Sequence, residues 1–283
     1  MSIITFSNED KKETGQTLTA SAIASLLAIE HNYKILLMAT DFNDETMENC
    51  FFSPIKKTNI NLFNTTRNFS SMDISSGLEG LVRIFASNRA SGQIINNYTK
   101  PILRDRLDVL LPPKTSDYKE YCNISNYFSQ IADVANTVYD IVIVDMCKKI
   151  PGSNKNKILN LSDLVVMGIT QSYRSINDFL ELKLDNEFYT KSNVVLAVEK
   201  YNPNSKYTSK NIARYLKERI IPLSVPYNAL FSDHCSDGKI IDYLLMTQKL
   251  NFEDGKDGFF YKQLKDSVER MDYKRKELQY QAK

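Results

Sequence analysis

The sequence predicts an α/β fold in which helices cover both faces of a doubly wound, mainly parallel sheet. Two segments, Ile35 to Ala39 and Ile141 to Val144, are unbroken apolar runs, and such runs are typical of strands that are buried on both faces. The first 44 residues also have the order strand, loop, helix, strand, which is the βαβ unit that builds parallel sheets. We therefore expect an open sheet between two layers of helices.

The opening βαβ unit starts with a short apolar strand, Ile3 to Phe6, and a polar loop follows it. From Gln16 to Glu30 the chain is rich in alanine and leucine and lacks glycine and proline, so a helix is favoured. Because this segment has almost no polar face, we expect the helix to be buried. The second strand, Ile35 to Ala39, ends just before Asp41.

Five elements are predicted between this unit and the middle of the chain. Asn, Thr and Lys dominate one stretch, which indicates a surface loop, whereas apolar residues at helical spacing indicate helices elsewhere. The predicted elements are a helix to about Phe52, a loop from Ser53 to Ser71, a helix from Asp73 to about Arg89, a strand from Arg106 to Leu111 and a helix from about Asn123 to Asn136.

The second half contains the strongest strand signal, Tyr139 to Asp145, which is apolar throughout its centre and ends in a carboxylate. An acidic residue at the carboxyl end of a parallel strand lies where ligands bind in such sheets. The other predicted elements are strands within Leu161 to Thr170, Ser192 to Val198 and Ile220 to Asn228, and a helix from Ser175 to Phe188.

The C-terminal segment supports two interpretations. Phe259, Phe260, Leu264, Val268 and Met271 follow helical spacing, and a basic run from Lys274 to Lys276 comes after them. This face either closes the domain core or contacts a membrane surface, and the first interpretation is favoured because the charges are mixed. We expect one domain over residues 1–270, with a polar, solvated tail over residues 271–283.

Composition excludes several classes of protein. The 36 basic and 34 acidic residues leave a net charge of +2, so the chain as a whole has no strong attraction to nucleic acid or membranes. The sequence has no signal-like segment and no run of about 20 apolar residues, so we expect a cytoplasmic protein. The four cysteines and two histidines are widely separated, which argues against disulfides, structural zinc and catalytic triads.

The polar loop before the first helix resembles a known phosphate-binding loop. Residues Lys11 to Thr17 read Lys-Lys-Glu-Thr-Gly-Gln-Thr, and they fall where the ParA/MinD superfamily has its deviant P-loop, Lys-Gly-Gly-x-Gly-Lys-Thr. Lys11 matches the signature lysine that reaches the phosphates of the partner subunit, Gly15 matches the last glycine, and Thr17 matches the Mg²⁺ ligand. The resemblance implies a P-loop NTPase fold that binds ATP and Mg²⁺ as a homodimer. The nucleotide contacts that it implies in this loop are Lys11, Lys12, Glu13, Thr14, Gly15, Gln16, Thr17 and Leu18.

The loop also departs from the family pattern. Lys12 and Glu13 replace two glycines, and Gln16 replaces the lysine that contacts the β- and γ-phosphates. Backbone N–H groups at a helix N-terminus attract phosphate whatever the side chains are, whereas the missing cation at position 16 would have balanced charge during phosphoryl transfer. We therefore expect hydrolysis to suffer more than binding. From the loop alone, an ordinary polar turn remains an equal alternative.

The resemblance continues in the same order to about residue 270 and implies roles for residues outside the loop. Asp145 falls on the Walker B carboxylate, which holds Mg²⁺ together with Thr17, and Asp41 falls on the carboxylate that positions the attacking water. Asp41 and Lys11 are therefore the catalytic candidates. Glu199 falls nearest the family's adenine-contacting asparagine, and Pro226 and Tyr227 match the turn beside the base.

The sequence is consistent with three functions. A retained fold with an eroded P-loop resembles the TadZ/CpaE group, so the first expectation is a localisation or assembly factor that binds protein components of a pilus or secretion machine, with little or no hydrolysis. The second is an active ParA-type ATPase that partitions DNA, which the near-neutral charge makes less favoured. The third is a tyrosine kinase of the same superfold, with Tyr261, Tyr273 and Tyr280 as its autophosphorylation cluster.

Overall fold

The computed structural model describes residues 1–10, 14–53, 77–87 and 91–281, which form one eight-stranded sheet with helices on both faces. The sheet order is β3-β4-β2-β5-β1-β6-β7-β8. Every neighbouring pair is parallel except β3 and β4, so the predicted doubly wound, mainly parallel α/β fold is confirmed. The strands are β1 (Ser2–Ser7), β2 (Ile35–Ala39), β3 (Lys100–Leu103), β4 (Leu107–Leu110), β5 (Ile141–Asp145), β6 (Leu164–Ile169), β7 (Val194–Tyr201) and β8 (Leu223–Pro226).

The helices form one layer on each face of the sheet. Those of the first layer are α1 (Gln16–Glu30), α2 (Thr46–Phe51), α10 (Ala229–Ser236), α11 (Ile240–Thr247) and α12 (Gly255–Gln281). Those of the second layer are α3 (Leu78–Ala86), α4 (Gly92–Ile95), α5 (Tyr118–Ser125), α6 (Phe128–Ala135), α7 (Gly152–Leu161), α8 (Tyr173–Asp185) and α9 (Ser209–Leu216). Each layer packs its apolar residues on alternate strand positions and so forms its own core.

The central strands lie where their composition predicts. β5 lies between β2 and β1, with Ile141 paired to both Ile35 and Ser2, and all five of its residues are buried. Its even-numbered and odd-numbered residues enter opposite cores, as Val142 and Ile143 do. The absence of a polar face in β5 therefore reflects the helices that cover it on both sides.

The prediction of one helix from Asn123 to Asn136 was wrong. The chain forms α5 and α6, which are separated at Asn126 and Tyr127. Asp117 caps α5 by accepting a hydrogen bond from the Lys119 amide. At the break, the Asn154 side chain donates to Ser125 Oγ and Asn126 Oδ1. Apolar spacing alone does not reveal a break that these tertiary hydrogen bonds stabilise.

Two of the sequence-based predictions fall largely on residues outside the described ranges. The predicted loop from Ser53 to Ser71 lies outside them after its first residue. The predicted helix from Asp73 to Arg89 is described only over 77–87, where it corresponds to α3.

The last helix differs from the expected solvated tail, because α12 continues through position 270 to Gln281. Arg275 is 5% exposed and donates to Asp272 Oδ1 and to Ser2 Oγ. Gln279 donates to Ser2 Oγ and to the Met1 carbonyl. The segment expected to be a tail is thus attached to the start of β1 by a buried contact of Arg275 and by more exposed contacts of Gln279, which a composition-based assignment of a tail overlooks.

The apolar face of α12 closes the first core. Its members Phe260, Leu264, Val268 and Met271 are each at most 1% exposed, and Phe259 is half-buried. Because these side chains already contact the protein interior, they do not form a face for a membrane surface. Among the described helices, none is long and apolar enough to span a bilayer.

Candidate functional site

The loop between β1 and α1 places backbone amides at the carboxyl edge of the sheet. Gly15 adopts a left-handed conformation with φ 102° as the N-cap of α1, and no side chain among the described residues caps the helix. The first amides of a helix have no intrahelical partner, and together with the helix dipole they attract anions. Lys11, Lys12 and Glu13 lie outside the described residues, so the structure places the expected phosphate loop from Thr14 onward.

The Gln16 side-chain amide is hydrogen-bonded to the protein interior. Its Nε2 donates to Asp145 Oδ1 (2.5 Å) and to the carbonyls of Met146 (3.1 Å) and Phe6 (3.2 Å). Its Oε1 accepts from Asn8 Nδ2 at 2.7 Å. Gln16 is only 8% exposed. The residue at the position of the phosphate-binding lysine is therefore committed to bonds with β1 and the end of β5.

The two candidate Mg²⁺ ligands lie side by side. Asp145 is 1% exposed. Burial raises its pKa to about 6, although the Gln16 amide and the Thr17 hydroxyl lower it. Its Oδ2 has no hydrogen-bond partner among the described residues. A hydroxyl and a carboxylate oxygen are hard ligands of the kind that Mg²⁺ takes alongside water and phosphate.

The fit to Mg²⁺ rests on few protein ligands. Within the described ranges, no three His, Cys, Asp or Glu residues are grouped so as to hold a metal. Thr17 and Asp145 would therefore hold the ion only together with water and phosphate oxygens, and Gln16 already occupies one Asp145 oxygen. This arrangement fits an ion that arrives with a nucleotide better than an ion that binds alone.

Asp41 lies at the same edge, after β2. Burial and the nearby carboxylates of Asp145 and Asp44 raise the pKa of Asp41 to about 8, whereas the Cys147 thiol and the Lys149 ammonium act to lower it. At neutral pH its carboxyl is therefore mostly protonated. A neutral carboxyl is a weaker proton acceptor than the carboxylate that would position an attacking water.

Glu199 is buried beneath the loop. It is 1% exposed, burial raises its pKa to about 8, and neither carboxyl oxygen has a partner with hydrogen-bonding geometry among the described residues. A Cβ on Gly168 would lie 2.7 Å from the Glu199 carboxyl, so a larger residue at position 168 would require the Glu199 side chain to shift. The side chain that was expected to contact adenine lies in the interior.

A bulge in β7 explains this placement. Val198 pairs with Ser224 and Tyr201 with Pro226, so three steps along β7 match two along β8. An extra residue of this kind turns neighbouring side chains in new directions. Glu199 points inward as a result, and Lys200, with a left-handed φ of 52°, points out over the loop.

The loop, β2 and β5 enclose a cavity of about 360 Å³. Thr14 to Leu18 and Asp41 line it. Three lysines were missed: Lys148, Lys149 and Lys200 also line the cavity. Lys148 and Lys149 directly follow Met146 and Cys147 at the end of β5. Two lysines just after a strand that ends in aspartate are the sequence signal that predicts a basic contribution to this site.

The other base-side candidates are separated from this cavity. Pro226 is the last residue of β8 and is buried, whereas Tyr227 is 63% exposed. Neither residue lines the cavity around the loop. The structure therefore brings together the candidate phosphate-binding and Mg²⁺-binding residues. The two candidate contacts to the nucleotide base lie at the end of β8, outside this cavity.

Comparison with known proteins identifies the fold. No family model and no curated protein sequence matches the chain. A ParA family ATPase from Chlorobium tepidum TLS is similar with TM-score 0.68 and 19% identity, over 96% of this chain and 98% of that one. A plasmid partition protein from Borrelia burgdorferi B31, bound to AMPPNP, has TM-score 0.61 and 17% identity over 97% and 99%. MinD in the MinC:MinD complex from Aquifex aeolicus has TM-score 0.60 and 17% identity over 96% and 95%. At these identities the similarity establishes a ParA/MinD-type fold.

Proposed function

We propose that this chain, with its ParA/MinD-type fold, is a localisation or assembly factor that acts through protein partners, binds ATP with Mg²⁺ weakly and hydrolyses it little or not at all. One observation carries the proposal: Gln16 fills the position of the phosphate-binding lysine, and its neutral amide donates to Asp145. The cavity beside α1 has room for phosphate groups. The side chain at the position of the lysine, however, is neutral and bonded to the protein interior.

The remaining groups favour binding over hydrolysis. The amides at the start of α1 remain available to phosphate oxygens. Phosphoryl transfer, however, depends on cations that balance charge as the bond breaks, and Gln16 supplies none. The raised pKa of Asp41, about 8, also keeps that carboxyl mostly neutral at pH 7. Both features slow chemistry more than they weaken binding.

Replacing Gln16 by lysine should tighten ATP binding by about tenfold, because hydrogen bonds to a charged group are each worth roughly 1.5–3 kcal/mol. The change also removes the amide that donates to Asp145, although a lysine there can form an ion pair with the same carboxylate. Titration calorimetry with Mg·ATP measures the affinity, and phosphate release measures turnover. The wild-type protein should show no turnover at rates typical of P-loop enzymes.

A matched control is Gln263→Lys, which adds the same charge on α12, far from the loop in sequence. Unchanged affinity in Gln16→Lys would indicate that the loop geometry itself is unsuited to phosphate. Rapid hydrolysis by the wild-type chain would contradict the proposal directly.

The proposal assigns the function to the binding of protein partners and not to ATP turnover. One protein of similar fold, MinD from Aquifex aeolicus, is seen in complex with MinC, so this fold presents a surface to another protein in that case. By analogy with the TadZ/CpaE group, we propose components of a pilus or secretion machine as partners. The test is affinity capture from the source cell after nuclease treatment. Recovery of such components without DNA supports the proposal.

We also propose a homodimer that faces across the loop before α1, because the family role of Lys11 requires a second subunit. Lys11 itself lies outside the described residues, so the dimer rests on the resemblance. Small-angle scattering over a concentration series, with and without Mg·ATP, measures the mass. A monomer at every concentration in both conditions would contradict the dimer.

DNA partitioning is a second candidate, because the opposite edge of the sheet carries a basic cavity of about 640 Å³. Lys183 and Lys274 in its wall pair with Glu218 and Glu277. Lys217 and Arg219 line the same cavity and have no described ion pair. Salt-sensitive DNA binding that ATP stimulates, and that Lys217→Gln with Arg219→Gln abolishes, would favour this candidate over the first.

The tyrosine-kinase alternative loses part of its basis. Tyr261 is 1% exposed and its hydroxyl donates to Glu30 Oε1 at 2.5 Å. Tyr273 and Tyr280 are 73% and 79% exposed. Because a kinase must reach the hydroxyl that it modifies, Tyr261 cannot belong to an autophosphorylation cluster in this fold.

A further inference from the structure

A lysine from the bulge of β7 covers the loop before α1. A Cβ built on Gly15 would lie 3.2 Å from Lys200 Cε and 3.6 Å from Lys200 Cγ. The aliphatic stem of Lys200 therefore crosses the glycine that begins the helix. Since the same side chain lines the cavity formed by Thr14 to Leu18, its ammonium group belongs to the surroundings of the first helical amides.

The Lys200 ammonium forms no hydrogen bond or ion pair among the described residues, and its charge acts on the neighbouring Glu199 carboxyl, whose pKa it lowers. Lys148 Nζ donates to the Asp10 carbonyl, and Lys149 Nζ lies 5.1 Å from the centre of the Phe42 ring. Lys200 has no hydrogen bond, ion pair or ring contact of this kind within the described ranges. An unpaired cation beside helix N-terminal amides is an arrangement that attracts anions.

A second observation points to an anion at this place. Thr14 is 1% exposed and lines the cavity. Its hydroxyl lies near the Glu199 carboxyl and acts to lower the pKa of that group, but it has no partner with hydrogen-bonding geometry among the described residues. A buried hydroxyl without a partner is costly, and a ligand oxygen would satisfy it. The first residues of α1, Thr14 and Lys200 thus all line the same cavity.

We infer that Lys200 supplies the cation that binds the nucleotide's phosphate groups in place of the absent lysine at position 16. This inference rests on the proposed binding of Mg·ATP. It moves the phosphate-binding charge from the loop to the bulge at the end of β7. The ligand carries phosphate groups, because the Lys200 charge contributes only when phosphate oxygens reach the amides of α1. That the ligand is a nucleoside polyphosphate follows from the proposed binding of Mg·ATP.

Lys200→Gln should weaken Mg·ATP binding about tenfold, the lower end of the range expected for hydrogen bonds to a charged group, since the side chain is exposed. Lys200→Arg keeps the charge and should stay within about threefold of wild type. Lys210→Gln, which removes an equally exposed lysine of α9, is the matched control and should leave the affinity unchanged. Titration calorimetry at two salt concentrations gives the affinities, and circular dichroism confirms folding.

A charge-specific effect has two further signatures. The affinity of Lys200→Gln for Mg·ATP should depend less on salt than that of wild type, and the weak binding of adenosine should be the same in both. If wild type binds Mg·ATP and Lys200→Gln binds it equally well, the inference is wrong and the proposed nucleotide binding stands. The same holds if Lys200→Gln binds Mg·ATP more tightly, since the Lys200 stem would then block the cavity. No binding of Mg·ATP by wild type would overturn both the inference and the proposed nucleotide binding.

Discussion

Glu199→Gln is expected to raise the free energy of unfolding above pH 8 by on the order of 4 kcal/mol, because each unit of pKa shift corresponds to about 1.4 kcal/mol. The Glu199 carboxyl is 1% exposed and without a described hydrogen-bond partner. Burial raises its pKa from an ordinary value of 4.5 to about 8. Glutamine has nearly the same shape and no charge, so it removes the cost of ionising a buried group.

The sign of the pH dependence follows from these two values. In the unfolded chain Glu199 ionises near 4.5, whereas in the folded protein it keeps its proton until about pH 8. The stability contributed by the neutral carboxyl is fully present below pH 4.5 and is lost as the pH rises through about 8. Wild type and Glu199→Gln should therefore be equally stable at low pH and diverge as the pH rises.

Urea unfolding at a series of pH values from about 4 to 9 measures this difference. Glu253→Gln, a change at an exposed loop position, is the control and should have the same pH profile as wild type. Profiles of Glu199→Gln and wild type that run parallel over the whole range would refute the prediction. Other titrating groups, including Asp41, act on both proteins and so largely cancel in the comparison.

The sequence predicted the sheet well because the information is local. Strands buried on both faces need apolar side chains at every position, and Ile141 to Val144 supplies them without regard to the rest of the chain. The same reasoning found α1 and its buried environment. It did not find the break between α5 and α6, because that break depends on Asn154, which is distant in sequence and lies on α7.

The candidate site was predictable in position but only partly in detail. Asp41, Asp145 and Thr14 to Leu18 meet because the carboxyl ends of neighbouring parallel strands share one edge. The direction of Glu199 and Lys200 depends on a bulge against β8, and strand patterns do not encode such a shift in register. Sequence comparison at position 199 therefore indicated a base contact, whereas the side chain is buried under the loop.

Gln16 provides the last test, because the structure gives it a structural role in place of the one expected from the loop. Gln16→Met keeps the length and helix preference of the side chain but removes every polar contact. The variant should lose about 2–4 kcal/mol of unfolding free energy, since buried groups left without partners cost about 1–3 kcal/mol each. Asp145 Oδ1 would then lose the Gln16 amide, whereas Oδ2 already lacks a hydrogen-bond partner among the described residues. The Thr17 hydroxyl would remain as the neighbour that lowers the pKa of this carboxyl.

Thermal and urea unfolding of Gln16→Met measure this loss, with Gln263→Met as the control, a half-buried position on α12 for which no hydrogen bond is described. If the loss occurs, the amide at position 16 stabilises the end of β5. A loss below about 0.5 kcal/mol, the range of ordinary surface substitutions, would show instead that Gln16 is dispensable. In that case the Gln16–Asp145 hydrogen bond would not explain why this chain has glutamine where the phosphate loop that it resembles has lysine.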